Sequence, residues 1–219
     1  MSEDPQQPIE ITGLSSEGEG IGRLEDGRVA FVDGGVPGDQ VELGDIEERK
    51  RFVRAGIARI VTPSPDRVDP VCPHVGTCGG CRWQHVRYEA QLEAKRSIVV
   101  SALERIGGID LGESFGDEIE IVPSPEPYGY RARARWVEAG AGLGYRIRGT
   151  RDIHPVETCP VLVREAEAAL ASRAAKIRAS AESKDGDSGG DDRAGRKGGD
   201  KKAQRRGPRA TEWLSLIHI

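Results

Sequence analysis

Four cysteines constrain this chain more than any other feature of its sequence. Three lie within ten residues, as Cys72-x5-Cys78-x2-Cys81, and the fourth, Cys159, lies far downstream. A Cys-x2-Cys pair lets two thiolates reach one metal from a tight loop, and a distant fourth ligand would fasten two segments together. Four soft thiolates select zinc or an iron–sulfur cluster. The spacing therefore predicts a metal centre on all four cysteines.

The choice between the two metals stays open on spacing alone. Structural zinc sites usually have two short cysteine pairs, whereas this chain has one, which favours iron–sulfur. Three nearby histidines keep a mixed zinc site open: His74, His85 and His154. Buried cysteines without a ligand are a third interpretation, which three thiols within ten residues disfavour. Gly79 and Gly80, inside the short pair, would free backbone N–H groups to face cluster sulfides.

The composition favours a cytoplasmic protein. Charged residues make up 31% of the 219 positions and aromatic residues 5%, so the core is small for the length. No run of about 18 apolar residues could span a membrane. Residues 1–8 are acidic and polar, unlike a signal peptide. Because cytoplasmic thiols stay reduced, the cysteines are expected to be ligands before they are disulfides.

Residues 8–62 have the pattern of a small β-barrel. Four short runs are β-like, at residues 9–11, 28–32, 40–43 and 52–61. Turn signals separate them, at residues 25–27, 33–35 and 37–39. Short strands at this spacing predict a five-stranded, closed or nearly closed barrel.

The run Gly18-x-Gly20-x-Gly22 is compatible with a dinucleotide-binding loop or with a turn of this barrel. A dinucleotide loop needs a strand before it and a helix after it. The next residues are Arg23-Leu24-Glu25-Asp26-Gly27, which are typical of a turn. The barrel turn is favoured, so no cofactor-binding residue is assigned here.

Beyond the cysteine segment the pattern becomes mixed. Residues 86–106 predict a helix whose apolar face comprises Leu92, Val99, Leu103 and Ile106, with Gly107-Gly108 as its stop. Residues 117–153 return to β-structure, with a hairpin turn at 140–142. A second helix is predicted over about 161–179, with Leu162, Leu170 and Ile177 on its apolar face.

The C-terminal stretch differs from the rest of the chain. Residues 179–209 contain no Val, Ile, Leu or aromatic residue, so we expect a disordered linker, acidic first and then basic from 193 to 209. The basic part is either a nonspecific anion-binding tail or a solvated linker. The final apolar run begins at Trp213 and stops after a few residues, from which we expect a truncated reading frame; residues 214–219 resemble translated adapter sequence, and a native end is the alternative.

An arginine-rich segment predicts an RNA-contacting surface despite the net charge of −4. Residues 130–151 hold six arginines and one acidic residue, whereas residues 1–50 hold 13 acidic and four basic ones. On a predicted strand, alternate arginines share one face, opposite the core side chains Tyr130 and Trp136. The candidate contacts are Arg131, Arg133, Arg135, Arg146 and Arg148, with Arg151 beside them. Five barrel cations would extend this surface: Arg49, Lys50, Arg51, Arg54 and Arg59.

Over about residues 8–165 the sequence resembles the bacterial RNA uracil-C5 methyltransferases, with the branch acting on 23S ribosomal RNA the nearest. The resemblance rests on Cys72-Pro73, Cys78-Gly79-Gly80-Cys81, Gln84-His85, Tyr130-Arg131-Ala132-Arg133 and Cys159-Pro160, and on Gly18–Gly22 and Val36–Asp39 in a TRAM-like barrel. It implies a [4Fe–4S] cluster on Cys72, Cys78, Cys81 and Cys159. Ala132 stands where the family usually has asparagine.

The resemblance also implies a division of labour. In that family the catalytic cysteine, the general base and the S-adenosylmethionine site lie in a C-terminal Rossmann-like domain, for which this chain shows no counterpart. We therefore expect a mainly β, α+β chain: a TRAM barrel at 8–62, an iron–sulfur and central RNA-binding domain at 63–178, and a linker at 179–219. It would be a cytoplasmic monomer that binds RNA, ribosomal before transfer RNA, and is inactive by itself. The alternative is a non-enzymatic RNA-binding module with structural zinc or iron–sulfur.

Overall fold

The computed structural model describes residues 7–112, 119–140 and 142–185. These residues form two compact units. The first comprises the chain up to Gly76 together with Cys81–Pro125, and the second comprises Thr77–Gly80 together with the chain from Glu126 onwards. No helix in the described part of the chain is long and apolar enough to cross a membrane.

The predicted barrel is confirmed as a closed sheet of five strands in the order β1-β2-β3-β5-β4. The strands are β1 Ile9–Leu14, β2 Gly20–Arg23, β3 Val29–Val32, β4 Gln40–Glu48 and β5 Phe52–Thr62. All neighbouring pairs are antiparallel except β3 and β5. Alternate apolar side chains fill the interior, as period-2 strands require; they are Ile9, Ile11, Ala30, Val32, Val41, Leu43, Val53 and Ala55.

The glycine run belongs to this barrel. Gly18 has a φ of +79°, and Gly20 and Gly22 lie on strand β2, with no helix after them. A Cβ at Gly20 would lie 2.9 Å from the Gly35 Cα, and one at Gly22 would lie 2.8 Å from the Glu10 carbonyl oxygen. Close backbone approach therefore explains these two glycines.

Helix α1, Tyr88–Arg105, packs on the barrel through small residues. Ala90 and Ala94 contact the buried cluster of Leu14, Val36 and Val86. No residue of α1 is fully buried, and Val99 is 47% exposed. The expected apolar face was thus wrong as a core face, because the helix is rotated to lay its alanines on the barrel. Its predicted end is confirmed: Ile106 is the C-cap, and Gly108 has a φ of +64°.

The second unit contains a three-stranded antiparallel sheet and a helix. Strands β6 Val137–Ala139, β7 Gly142–Arg146 and β8 Ile153–Pro155 pair in that order, and helix α2 spans Arg164–Asp185. The core is Leu143, Val156, Leu162, Leu170 and Ile177, with Trp136 and Tyr145 packed against it.

Three expectations for this region need correction. The strand predicted over 130–137 is regular only in β6, because the backbone at Arg131 instead bonds to Val161 and Val163, just before α2. Tyr130 is 54% exposed and not in the core. Helix α2 continues past Ala179 to Asp185, so disorder does not begin at 179. The remainder of the predicted linker, 186–219, lies outside the described residues.

Candidate metal centre and nucleic-acid interface

The four cysteines are half-buried, none of them is in a disulfide, and they are divided between the units. Cys72 and Cys81 belong to the first, whereas Cys78 and Cys159 belong to the second. Among the described residues, no group of three or more His, Cys, Asp or Glu side chains is gathered as it would be around a metal ion.

Cys72 is held by Gln84. The Cys72 backbone N–H donates to Gln84 Oε1 at 3.1 Å. Gln84 is 7% exposed, and its Nε2 is buried with no hydrogen-bond partner among the described residues. A buried amide donor without an acceptor is destabilising. An unpaired donor beside a cysteine therefore fits a site that receives a further group with acceptor atoms.

His85 lies in a buried polar network behind this segment. Its backbone carbonyl accepts from the Val68 N–H at 3.0 Å, and its side chain hydrogen-bonds the Gly35 backbone. Burial lowers the pKa of His85, and the neighbouring Arg67 lowers it further. His85 Nε2 has no hydrogen-bond partner in the described structure. A neutral imidazole in a supporting position is the state that this geometry favours.

Asp39 is the centre of the same network. The sequence pattern had placed it only in a turn. Its carboxylate accepts from the Val36 and Ser64 N–H groups, each at 2.8 Å, and pairs with Arg67. Burial alone would raise the pKa of Asp39, but the bonds from Arg67, Ser64 and Val36 hold it below its usual range.

Trp83 has a core role beside the cysteine segment. It packs against the Leu14, Val36 and Val86 cluster, and Lys95 Nζ lies 5.9 Å from its ring centroid. A Cβ on Gly18 would lie 2.7 Å from Trp83 Nε1, so the barrel turn and the cysteine segment fit closely. Tyr88 is likewise engaged, since its hydroxyl accepts from the Ser124 N–H at 2.8 Å.

In the second unit, Cys78 and Gly79 lie along the end of β7. The backbone of Cys78 forms an isolated antiparallel β-bridge with that of Ile147, and the Gly79 N–H donates to the Arg146 carbonyl at 3.0 Å. The expectation that Gly79 presents a free N–H to a cluster was therefore wrong. The reason for a glycine at this position is steric, because a Cβ there would lie 2.7 Å from the same carbonyl oxygen.

Cys159 lies under two aromatic side chains that form a hydrogen-bonded series. The Trp136 Nε1–H donates to the Tyr145 hydroxyl at 2.9 Å, and that hydroxyl lies 3.8 Å from Cys159 Sγ. Burial raises the pKa of Tyr145, and Cys159 and Cys78 raise it further, so the phenol keeps its proton. Sequence reasoning placed Trp136 in the core but had no signal for the contact between Tyr145 and Cys159.

The candidate RNA-contacting arginines all lie in the second unit. Arg131, Arg133, Arg135 and Arg146 are exposed, and Arg148 is half-buried. The first three share no strand face, since that segment is irregular. Counted over the residues that the structure describes, the second unit has 11 basic and eight acidic residues, a balance of +3, whereas the first has 13 and 18, a balance of −5. The unit that carries these arginines is therefore net positive, and the other is net negative.

The barrel cations are largely engaged with carboxylates. Arg54 pairs with Glu19 at 3.3 Å. Arg59 pairs with Glu42, and Arg49 pairs with Glu47. Local ion pairing thus reduces the extension of the basic surface that the sequence had left open on the barrel.

Comparisons with known proteins agree with this architecture. The TRAM domain model matches residues 6–59. The 23S rRNA (uracil(1939)-C(5))-methyltransferase RlmD of Alkalilimnicola ehrlichii is 35% identical over 167 residues, covering 72% of this chain and 36% of that protein. The protein of the same name from Halomonas elongata is 36% identical over 183 residues, covering 81% and 36%. This chain thus spans little more than a third of the length of the curated relatives it matches.

A solved structure shares the arrangement. The Pyrococcus abyssi tRNA (uracil-54, C5)-methyltransferase, determined with S-adenosyl-L-homocysteine, matches with a TM-score of 0.56 and 28% identity, covering 81% of this chain and 38% of that one. The chain therefore contains a TRAM domain and is homologous, over about three quarters of its length, to the 23S rRNA uracil-C5 methyltransferases.

Proposed function

We propose that this chain is the RNA-recognition and iron–sulfur part of an S-adenosylmethionine-dependent RNA uracil-C5 methyltransferase, with ribosomal RNA as its favoured partner. The observation that carries the proposal is the homology to the 23S rRNA methyltransferases over a TRAM domain and the cysteine-bearing segments. The relatives named for 23S rRNA support ribosomal RNA, and the structural neighbour named for tRNA makes transfer RNA the second candidate.

The arginines of the second unit would supply most of the RNA affinity. Guanidinium groups pair well with phosphates, and each neutralised phosphate releases counterions. The surplus of basic residues in this unit supports that role, as does the exposure of Arg131, Arg133 and Arg135. The barrel cations, which lie in the net-negative first unit, would contribute less.

The test compares two variants with the same loss of charge. Replacing Arg131, Arg133 and Arg135 by glutamine should weaken binding to a 23S rRNA fragment about tenfold. It should also make the dependence of the binding constant on salt less steep. The slope of log K against log salt concentration should fall in magnitude by about 2, because each phosphate contact on single-stranded RNA contributes about 0.7. The matched barrel variant, with Arg49, Lys50 and Arg51 replaced, should lose less than about threefold. Equal losses in both variants would contradict the assignment of the surface, and preference for tRNA would change the partner.

We further propose that Cys72, Cys78, Cys81 and Cys159 hold a [4Fe–4S] cluster. The donor chemistry fits, since none of the four thiols is in a disulfide, and the unpaired Gln84 Nε2 beside Cys72 is a donor suited to sulfur. When bound, the cluster would supply four iron–thiolate bonds and a structural connection between segments distant in sequence. Because four protein thiolates leave no open iron, a structural role is favoured over a reactive one.

Purification without oxygen, followed by an absorption spectrum and metal analysis, tests this site. A broad band near 400 nm, with about four iron and four sulfide per chain, is expected for a [4Fe–4S] cluster. One zinc per chain without colour would instead favour a zinc-stabilised RNA-binding module.

Methyl transfer belongs, in this proposal, to the whole enzyme. All four cysteines of the chain are assigned as ligands, which leaves none as the nucleophile that attacks uracil. The purified chain should therefore transfer no labelled methyl group from S-adenosylmethionine to ribosomal RNA. Detectable transfer would refute this part of the proposal.

A further inference from the structure

The hydrogen-bonded series from Trp136 through Tyr145 to Cys159 has a direction that the chemistry of its groups fixes. An indole N–H can only donate, so Trp136 takes up acceptor capacity of the Tyr145 oxygen at 2.9 Å. The hydroxyl has one proton, and its other polar neighbour in the series is Cys159 Sγ at 3.8 Å. That proton is therefore available to the sulfur.

We propose that Tyr145 is a positioning residue that donates a hydrogen bond to the Cys159 sulfur and so tunes the cluster bound there. This inference rests on the proposed iron–sulfur site. The bond would be strongest when Cys159 is a thiolate, because an ionised acceptor makes a charge-assisted bond.

The surroundings of Cys159 keep its sulfur in place for this contact. Its N–H donates to Glu167 Oε1 at 3.1 Å, and its carbonyl accepts from the Leu162 N–H at 2.9 Å. Tyr145 is fixed by β7, where it pairs with His154 of β8, and by packing in the core of the second unit. Donor and acceptor are thus held by separate parts of one compact unit.

Hydrogen bonds to ligand sulfurs stabilise the added negative charge of a reduced cluster and raise its reduction potential. Removing the phenolic hydroxyl should consequently favour the oxidised cluster without removing any ligand.

The experiment uses the full chain, loaded with iron and sulfide in the absence of oxygen. Tyr145→Phe should keep the iron and sulfide content of the wild type. Its reduced-to-oxidised ratio at a fixed ambient potential should fall about fivefold, since a hydrogen bond is worth about 1 kcal/mol. Its 400 nm band should also fade faster in air. Tyr130→Phe is the matched control, because Tyr130 is exposed, and it should change neither quantity.

The outcomes separate the inference from the proposal beneath it. A wild-type chain that takes up no iron would refute the cluster, and the inference with it. A loaded wild type and a loaded Tyr145→Phe with equal potentials would refute the inference alone. If Tyr145→Phe fails to fold, Trp136→Phe is the second test of the inference. A reduction potential that falls, but by less than is expected for Tyr145→Phe, supports the hydrogen-bonded series. A potential equal to that of the wild type overturns it.

Discussion

Asp39 shows how one side chain organises the junction between the barrel and the cysteine segment. Its carboxylate is fully buried, and it accepts bonds from Val36, from Ser64 and from Arg67. Arg67 in turn donates to the Gly34 carbonyl at 2.7 Å. Buried charges are tolerated when they are paired and hydrogen-bonded in this way. The network thereby fixes the loop after β3 against the chain that leads to Cys72.

His85 predicts how stability depends on pH. Its folded pKa is lowered by burial and by Arg67, so below about pH 6.5 the unfolded chain binds a proton that the folded chain resists. The full contribution of His85 to the free energy of unfolding should be present above that pH, and it should decline as the pH drops below about 6.5. The urea midpoint as a function of pH measures it.

The matched variants for this prediction are His85→Gln and His154→Gln. The first should abolish most of the decline below about pH 6.5, while the second, which replaces a histidine on strand β8 of the other unit, should retain it. An unchanged decline in His85→Gln would assign the pH dependence to other groups.

At the residue level, sequence spacing identified the candidate ligands but not their neighbours. Cys-x2-Cys is a local signal and can be recognised in the chain. The contact of Tyr145 with Cys159 joins residues 14 apart across a sheet, and that of Gln84 with Cys72 joins residues 12 apart. Neither has a periodicity or motif, since tertiary packing alone creates it.

The glycine turn before β2 gives a prediction at the level of elements. Gly18 and Gly34 have similar positive φ angles, +79° and +75°. A Cβ on Gly18 would overlap Trp83, whereas one on Gly34 would meet nothing within 4 Å. Gly34→Ala should therefore cost about 1–2 kcal/mol through backbone strain alone, and Gly18→Ala about 1–3 kcal/mol more. Urea unfolding of both variants measures the difference, and equal costs would mean that the Trp83 contact relaxes freely.

Two apolar truncations test the observed helix faces. Leu170 on α2 is fully buried, while Ile106 at the end of α1 is 88% exposed. Leu170→Ala should destabilise by about 2–5 kcal/mol and Ile106→Ala by less than about 0.5 kcal/mol. Similar losses in the two variants would show that the sequence-derived face of α1 is a core face after all.

Helices and strands were predicted correctly from the sequence where the local pattern of apolar residues and turns was strong. Strands β1, β3 and β4 alternate between buried and less buried positions, and the turns between strands carry glycine, so these strands were predictable. Strand β2, half of which is glycine, was not among the predicted runs. The segment 130–136 also alternates, yet its backbone bonds to residues 161–163 instead of a sheet neighbour. Alternation reports exposure and cannot identify the hydrogen-bonding partner. The same limit applies to α1, where alanines replaced the expected apolar face.

In the molecule as a whole, the two compact units carry net charges of opposite sign. The net charge of −4 combines an acidic first unit with a basic second unit. A total charge near neutrality therefore says little about a local anion-binding surface.

The two compact units predict separable responses in hydrogen exchange. Gly18→Ala should speed exchange in the barrel and α1 while β7 and α2 stay protected, and Leu170→Ala should do the reverse, because local openings follow cooperative units. Faster exchange throughout both units in either variant would indicate a single cooperative unit instead.

The assignment of Thr77–Gly80 to the second unit has a consequence for the order of synthesis. Gly79 donates to the Arg146 carbonyl, and Cys78 pairs with Ile147, so these four residues leave the ribosome well before their partners. At about 5–20 residues per second, the delay is about 3–13 seconds. During it the nascent chain can complete the barrel and α1 while Cys78 remains without its partner strand. Any step that needs Cys78 in its native position would therefore be late, because it could begin only after the second unit has been made.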